Sequence, residues 1–174
     1  DLLNALSWSV AVYSKEAKAV YAFPLSANGK IVRVDKDMKM TFVGNSMHLL
    51  SGGDPRSSIL MRGSLLGIDD TDLMEESYLF SSACEDPESH RIFAIPFDAK
   101  RVIVVNPEND SVTSCEISTQ NKCKLPPGAY TDAIYSKKDE SIYMIPGNAN
   151  HIARINLKKG TGRITVEQIG PPLR

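Results

Sequence analysis

Three segments of this chain are versions of one text: AVYAFPLSANGKIVRVD at Ala19 to Asp35, RIFAIPFDAKRVIVVN at Arg91 to Asn106, and SIYMIPGNANHIARIN at Ser141 to Asn156. Aligned on Pro24, Pro96 and Pro146 and read backwards without a gap, the likeness runs for sixteen residues, to Trp8, Phe80 and Tyr130. Along the way Ser9, Ser81 and Thr131 coincide, as do Ala11, Ala83 and Ala133, and Tyr21, Phe93 and Tyr143. Beyond the proline the polar residues Ser26, Asp98 and Asn148 align, then Ala27, Ala99 and Ala149, and the block closes at Asp35, Asn106 and Asn156. A repeat of this period is one supersecondary unit used three times, and stacking of neighbours must bury what a single unit cannot.

Each unit reads as four short strands, plainest in the third copy: YTDAIYS, SIYMIP, HIARIN and RITVEQIG, joined by KKDE, GNAN and LKKGTG. Valine, isoleucine, tyrosine and phenylalanine dominate, the links are turn-forming, and a recurrent proline sits where a helix would lose a hydrogen bond. In AVYAFP, RIFAIP and RVIVVN both faces are apolar. A sheet with one wet face would alternate, so the inner strands are covered on both sides by neighbouring sheets. The expected fold class is all-β: a β-propeller, or an arc of one, built from four-stranded antiparallel blades. Blade one falls at 7–44, an inserted loop at 45–77, blade two at 78–118 and blade three at 128–170, in a single domain of 174 residues.

The insertion holds SSILMRGSLLGI, whose Ile59, Leu60, Met61, Leu65 and Leu66 can dock on the protein's own rim or contact a partner. Asp72 with Glu75 has capping-box spacing. Propellers close with about four to eight blades. Three blades in an open arc leave two apolar end faces to be covered by further repeats of a longer protein, by a second copy in a six-bladed ring, or by another subunit. The chain opens on Asp1 rather than Met and ends on IGPPLR, near where a further first strand would start. It reads as a processed form or a piece of something longer.

The aligned pattern, with IFAIPFDAKRVIVVNP at Ile92 to Pro107 as its clearest copy, resembles a blade family common in algal and other protist proteins, typified by KIYCIPFNASKVLVIDP. The resemblance covers most of the chain. It implies a WD40-like or Kelch-like propeller and an algal or protist source, and it carries no catalytic signature.

The 20 Lys and Arg balance 21 Asp and Glu, which gives no electrostatic reason to expect nucleic acid. No window approaches the roughly 18 apolar residues of a spanning helix, and the opening stretch DLLNALSWSV has neither the basic start nor the apolar run of a secretory signal. Cys84, Cys115 and Cys123 form no metal-binding pair, although Cys115 and Cys123 could bridge in an oxidising compartment. His48, His90 and His151 fall at unrelated points of the repeat, DDTDLMEE lacks calcium-loop spacing, and KKGTGR is a hairpin turn rather than a phosphate loop. Nucleophile-elbow, zinc and dinucleotide motifs are absent, and no cofactor or metal is expected. Asp98 and Asn148 read as turn-pinning residues, and Ser9, Ser81 and Thr131 as a hydroxyl ring on the channel strands that holds waters.

These observations point to a non-enzymatic scaffold or accessory subunit that binds other proteins. One version is an algal or protist organellar membrane complex such as a photosystem, associated peripherally. A plastid and a soluble intracellular location both stay open, as does self-association. The alternative is a propeller hydrolase or lactonase with a metal in its channel.

Overall fold

The computed structural model describes residues 8–25, 29–44, 78–119, 124–157 and 164–173. The insertion with Ile59, Leu60, Met61, Leu65 and Leu66, the Asp72–Glu75 capping box, DDTDLMEE, His48, Ser26, Ala27, Cys123 and KKGTGR lie outside them. The described residues hold twelve strands in three groups. The first is β1 (Trp8–Ser14), β2 (Ala19–Pro24), β3 (Ile31–Asp35) and β4 (Met40–Val43). The second is β5 (Phe80–Glu85), β6 (Ile92–Pro96), β7 (Arg101–Asn106) and β8 (Ser111–Ser118). The third is β9 (Tyr130–Ser136), β10 (Ser141–Pro146), β11 (Ile152–Asn156) and β12 (Thr165–Ile169).

In each group, strands adjacent in sequence are antiparallel neighbours in space. The first strands β1, β5 and β9 lie side by side, while β8 and β12 join in parallel through Ile117–Val166 and Ser118–Glu167. This is a β-propeller arc of three four-stranded blades.

The recurrent proline has a repeated structural partner. Trp8 pairs with Pro24, Phe80 with Pro96 and Tyr130 with Pro146, and in every blade the register then slips by one residue. Ser9, Ser81 and Thr131 are therefore bulge residues, each leaving the ladder unpaired. Proline suits the strand end because it has no N–H to donate.

Two apolar layers fill the gaps between blades. Tyr21, Phe23 and Ile31 of blade one pack on Phe80, Ile92 and Ile103 of blade two, with the Phe23 and Phe80 rings edge to face at 6.0 Å. On the opposite face of blade two, Phe93, Ile95 and Val104 meet Ile142, Met144 and Ile155 of blade three. Every residue of β6 is buried, which is why RIFAIP is apolar on both faces. Ala99 and Ala149 lie buried in the two layers, where a small side chain lets blades approach.

The turns repeat as well. Lys18, His90 and Glu140 precede each second strand with positive φ, and Met38 and Asp110 do so before β4 and β8. Left-handed backbone at non-glycine residues is uncommon, and here it recurs at the end of tight hairpin turns that join antiparallel neighbours, where such loops use it to re-enter the ladder.

Candidate functional site

The first strands line the inner edge of the arc. At the bulge, Ser9 Oγ donates to the Phe80 carbonyl at 3.0 Å and Ser81 Oγ to the Tyr130 carbonyl at 2.8 Å. These hydroxyls clamp each blade to the start of the next, the bulge turning them toward it. Thr131 Oγ1 instead donates to Ile145 of its own blade at 3.4 Å.

One residue further along stand Val10, Ser82 and Asp132. Ser82 Oγ and the Ala133 N–H both donate to Asp132 Oδ1 at 2.8 Å. Asp132 is exposed, and its Oδ2 has no hydrogen-bond partner among the described residues. Two donors fixing one oxygen orient the carboxylate and leave the other able to accept a proton or a ligand hydrogen bond.

Asp98 and Asn148, read from the sequence as pinning their own turns, converge on the connection between blades two and three. Asp98 Oδ1 accepts from Gly128 N at 2.9 Å, and Asn148 Nδ2 donates to the Pro127 carbonyl at 2.9 Å. Lys100 Nζ adds a bond to Leu125 O at 3.3 Å. Burial holds the Lys100 amine below its ordinary value, with Asp98 pulling the other way. Asp35 and Asn106 fold back on their own turns, accepting from the N–H of Asp37 and of Glu108.

The aromatic positions are structural. Trp8 Nε1 donates to Lys30 O at 3.2 Å, Phe80 and Phe93 are buried, and Tyr130 receives a bond from Gln168 at 3.4 Å. Tyr21 donates to Asp110 Oδ1 of the next blade at 2.6 Å, and Tyr143 donates to Asp139 within its own. His90 lies 3.8 Å from Glu85 and 4.0 Å from Glu16 at the rim between blades one and two.

Asp132 is unmarked in the sequence: it belongs to no motif, and its partner Ser82 lies fifty residues away. The one sequence cue is its place two residues after the repeated aromatic. Among the described residues no three His, Cys, Asp or Glu side chains converge to hold a metal. None of the described helices or strands is a helix long and apolar enough to cross a membrane.

No protein-family model matches the chain, and no curated protein matches it. Solved structures do. Virginiamycin B lyase from Staphylococcus aureus, an inactive H270A form with quinupristin, superposes at TM-score 0.55 and 15% identity over 94% of this chain and 41% of that one. Periplasmic gluconolactonase from Pseudomonas aeruginosa gives 0.52 and 16%, over 96% and 44%. An auxiliary nutrient binding protein from Bacteroides ovatus gives 0.56 and 8%, over 97% and 33%. The chain thus spans less than half the length of each of these proteins.

The fold is shared, and two of these three proteins are enzymes. This corrects the expectation of a non-enzymatic scaffold. The missing motifs do not support a scaffold, because a site assembled from several blades takes single residues from strands far apart in sequence and leaves no contiguous signature.

Proposed function

We propose that this arc supplies part of a propeller enzyme of the lactonase or lyase kind, acting on a cyclic carboxylic ester at the inner strands. The observation that carries this reading is Asp132: an exposed carboxylate on an innermost strand, with one oxygen held by Ser82 and Ala133 N. In that position it can take a proton from water or from an acidic C–H while the ester opens. The fold shared with a gluconolactonase and a virginiamycin B lyase supports the class of substrate. The remaining polar groups at such a site come from the other blades around the channel.

The test is to incubate the assembled protein with gluconolactone and with quinupristin and follow ring opening by proton release or mass spectrometry. Asp132→Asn should abolish turnover, whereas Lys36→Gln, in the exposed turn between β3 and β4, should leave it intact. Full activity in Asp132→Asn, or no turnover of either ester by the unaltered protein, would discard the reading.

A further inference from the structure

The two end faces of the arc repeat the two halves of an interface that the chain already makes internally. Cross-strand pairing puts Ala11, Tyr13, Val20, Ala22, Val34 and Phe42 on the outer face of blade one, around a buried Val32. Tyr13, Met40 and Phe42 there are 54%, 60% and 60% exposed. In blade two the matching positions are Ala83, Glu85, Ile92, Ala94 and Val105, and apart from Glu85 these are packed beneath blade one. What covers them is the face bearing Tyr21, Phe23, Ile31 and Arg33. Blade three carries Tyr143, Ile145, Ile152 and Arg154 at the same register on its own open face, with Ile134 63% and Ile145 42% exposed.

The polar groups discriminate further. In the internal interface, Tyr21 and Arg33 of blade one meet Asp110, brought by the turn of blade two; Arg33 Nε lies 3.8 Å from its Oδ1. Blade one's own turn has Met38, not a carboxylate, at the position of Asp110, with the same positive φ. Blade three is adapted to that difference. Its Tyr143 bonds Asp139, and Arg154 Nη2 bonds Glu167 Oε1 at 2.6 Å. The corresponding residues of blade one are Ala17 and Thr41. Blade three therefore supplies from within itself the carboxylates that a docking blade one lacks.

We infer that the outer face of blade three docks on the outer face of blade one in a second copy of this chain, head to tail. Six blades from two copies fall within the range at which propellers close, and a head-to-tail contact that closes makes a ring rather than a filament. In the docked pair Thr131 faces Trp8 of the second copy, as Ser9 faces Phe80 and Ser81 faces Tyr130.

The experiment measures solution mass by light scattering well above micromolar concentration. The unaltered chain should show twice its 19.1 kDa. Phe42→Asp and Ile134→Asp each change an exposed residue on one face, and each alone should give the single-chain mass with an unchanged circular dichroism spectrum. Mixed in equal amounts they should return to the two-chain mass, because each retains the face the other has lost; a symmetric face-to-face dimer would not recover. A single-chain mass for the unaltered protein, a mixture that stays monomeric, or a native polypeptide with the mass of six or more repeats would each overturn the inference.

Discussion

Ser81 Oγ lies 2.8 Å from the carbonyl oxygen of Tyr130, across the boundary between the second and third blades. The bond exists because the ladder between β5 and β6 skips Ser81. A bulged residue has no cross-strand partner, so its side chain is free to turn toward the adjacent blade. Ser9 does the same toward Phe80. The repeated serine and the repeated proline register are thus one device: the bulge that ends a blade's ladder also joins it to the next.

Replacing Ser81 with alanine should remove this clamp and leave the Tyr130 carbonyl without its donor. A net loss of about 0.5–1.5 kcal/mol is expected, read as a lower urea midpoint with an unchanged slope. Ser9→Ala should act alike, and the two losses should add because the clamps share no partner. A double variant as stable as either single one would contradict this account.

At the connection between blades two and three, Gly128 has φ +66°, and a Cβ there would stand 2.9 Å from Asn148 Nδ2 and 3.3 Å from Phe97 Cζ. Gly128→Ala should cost about 1–2 kcal/mol from the left-handed backbone alone. Asp98→Ala should cost about 1–3 kcal/mol by stranding the buried Gly128 N–H. Both belong to one small network, so their combination should cost less than the sum. Thermal unfolding of the two single variants and the double variant would measure it.

Much of this architecture was legible in the chain. The triple text around Pro24, Pro96 and Pro146 announces four-stranded blades, and the two-sided apolarity of RIFAIP announces a strand covered on both faces, as β6 is. Long-range choices were not legible. Nothing local distinguishes Ser81, which bonds a carbonyl forty-nine residues away, from a serine that faces water. Asp98 looked like a residue pinning its own turn, and it pins a linker thirty residues on. Asp132 carries no local signal because its environment is made by the neighbouring blade. Strand patterning is written in period-two alternation; which side chain crosses between blades depends on the bulge and the twist, and those leave no period.

Phe80 is 1% exposed, and its ring meets Phe23 edge to face at 6.0 Å in the layer between blades one and two. Phe80→Ala should cost about 3–5 kcal/mol, the loss of a buried aromatic plus the cavity it leaves. That is a large part of a typical total of about 5–15 kcal/mol. Its counterpart Trp8 is only half-buried at the arc's end, and Trp8→Ala should cost less in the single chain. Equilibrium denaturation of the two variants side by side gives the comparison.

Alkaline pH should loosen the first interface through Tyr21. Burial raises its phenol most, and the Asp110 carboxylate raises it further, with Arg33 opposing weakly. The folded state therefore favours the protonated phenol, whereas the unfolded chain releases the proton near the ordinary value of about 10. The stabilisation is complete below that value and is lost as pH rises from there toward the higher folded value. Tyr21→Phe removes this loss, so the stability gap between the unaltered protein and the variant should shrink as pH passes 10. Asp110→Asn keeps an acceptor for the hydroxyl but removes the charge, so it should weaken the dependence without abolishing it, burial being the larger cause. Denaturation midpoints taken at intervals across the alkaline range for the three proteins decide this; parallel curves would show that Tyr21 ionises as freely folded as unfolded.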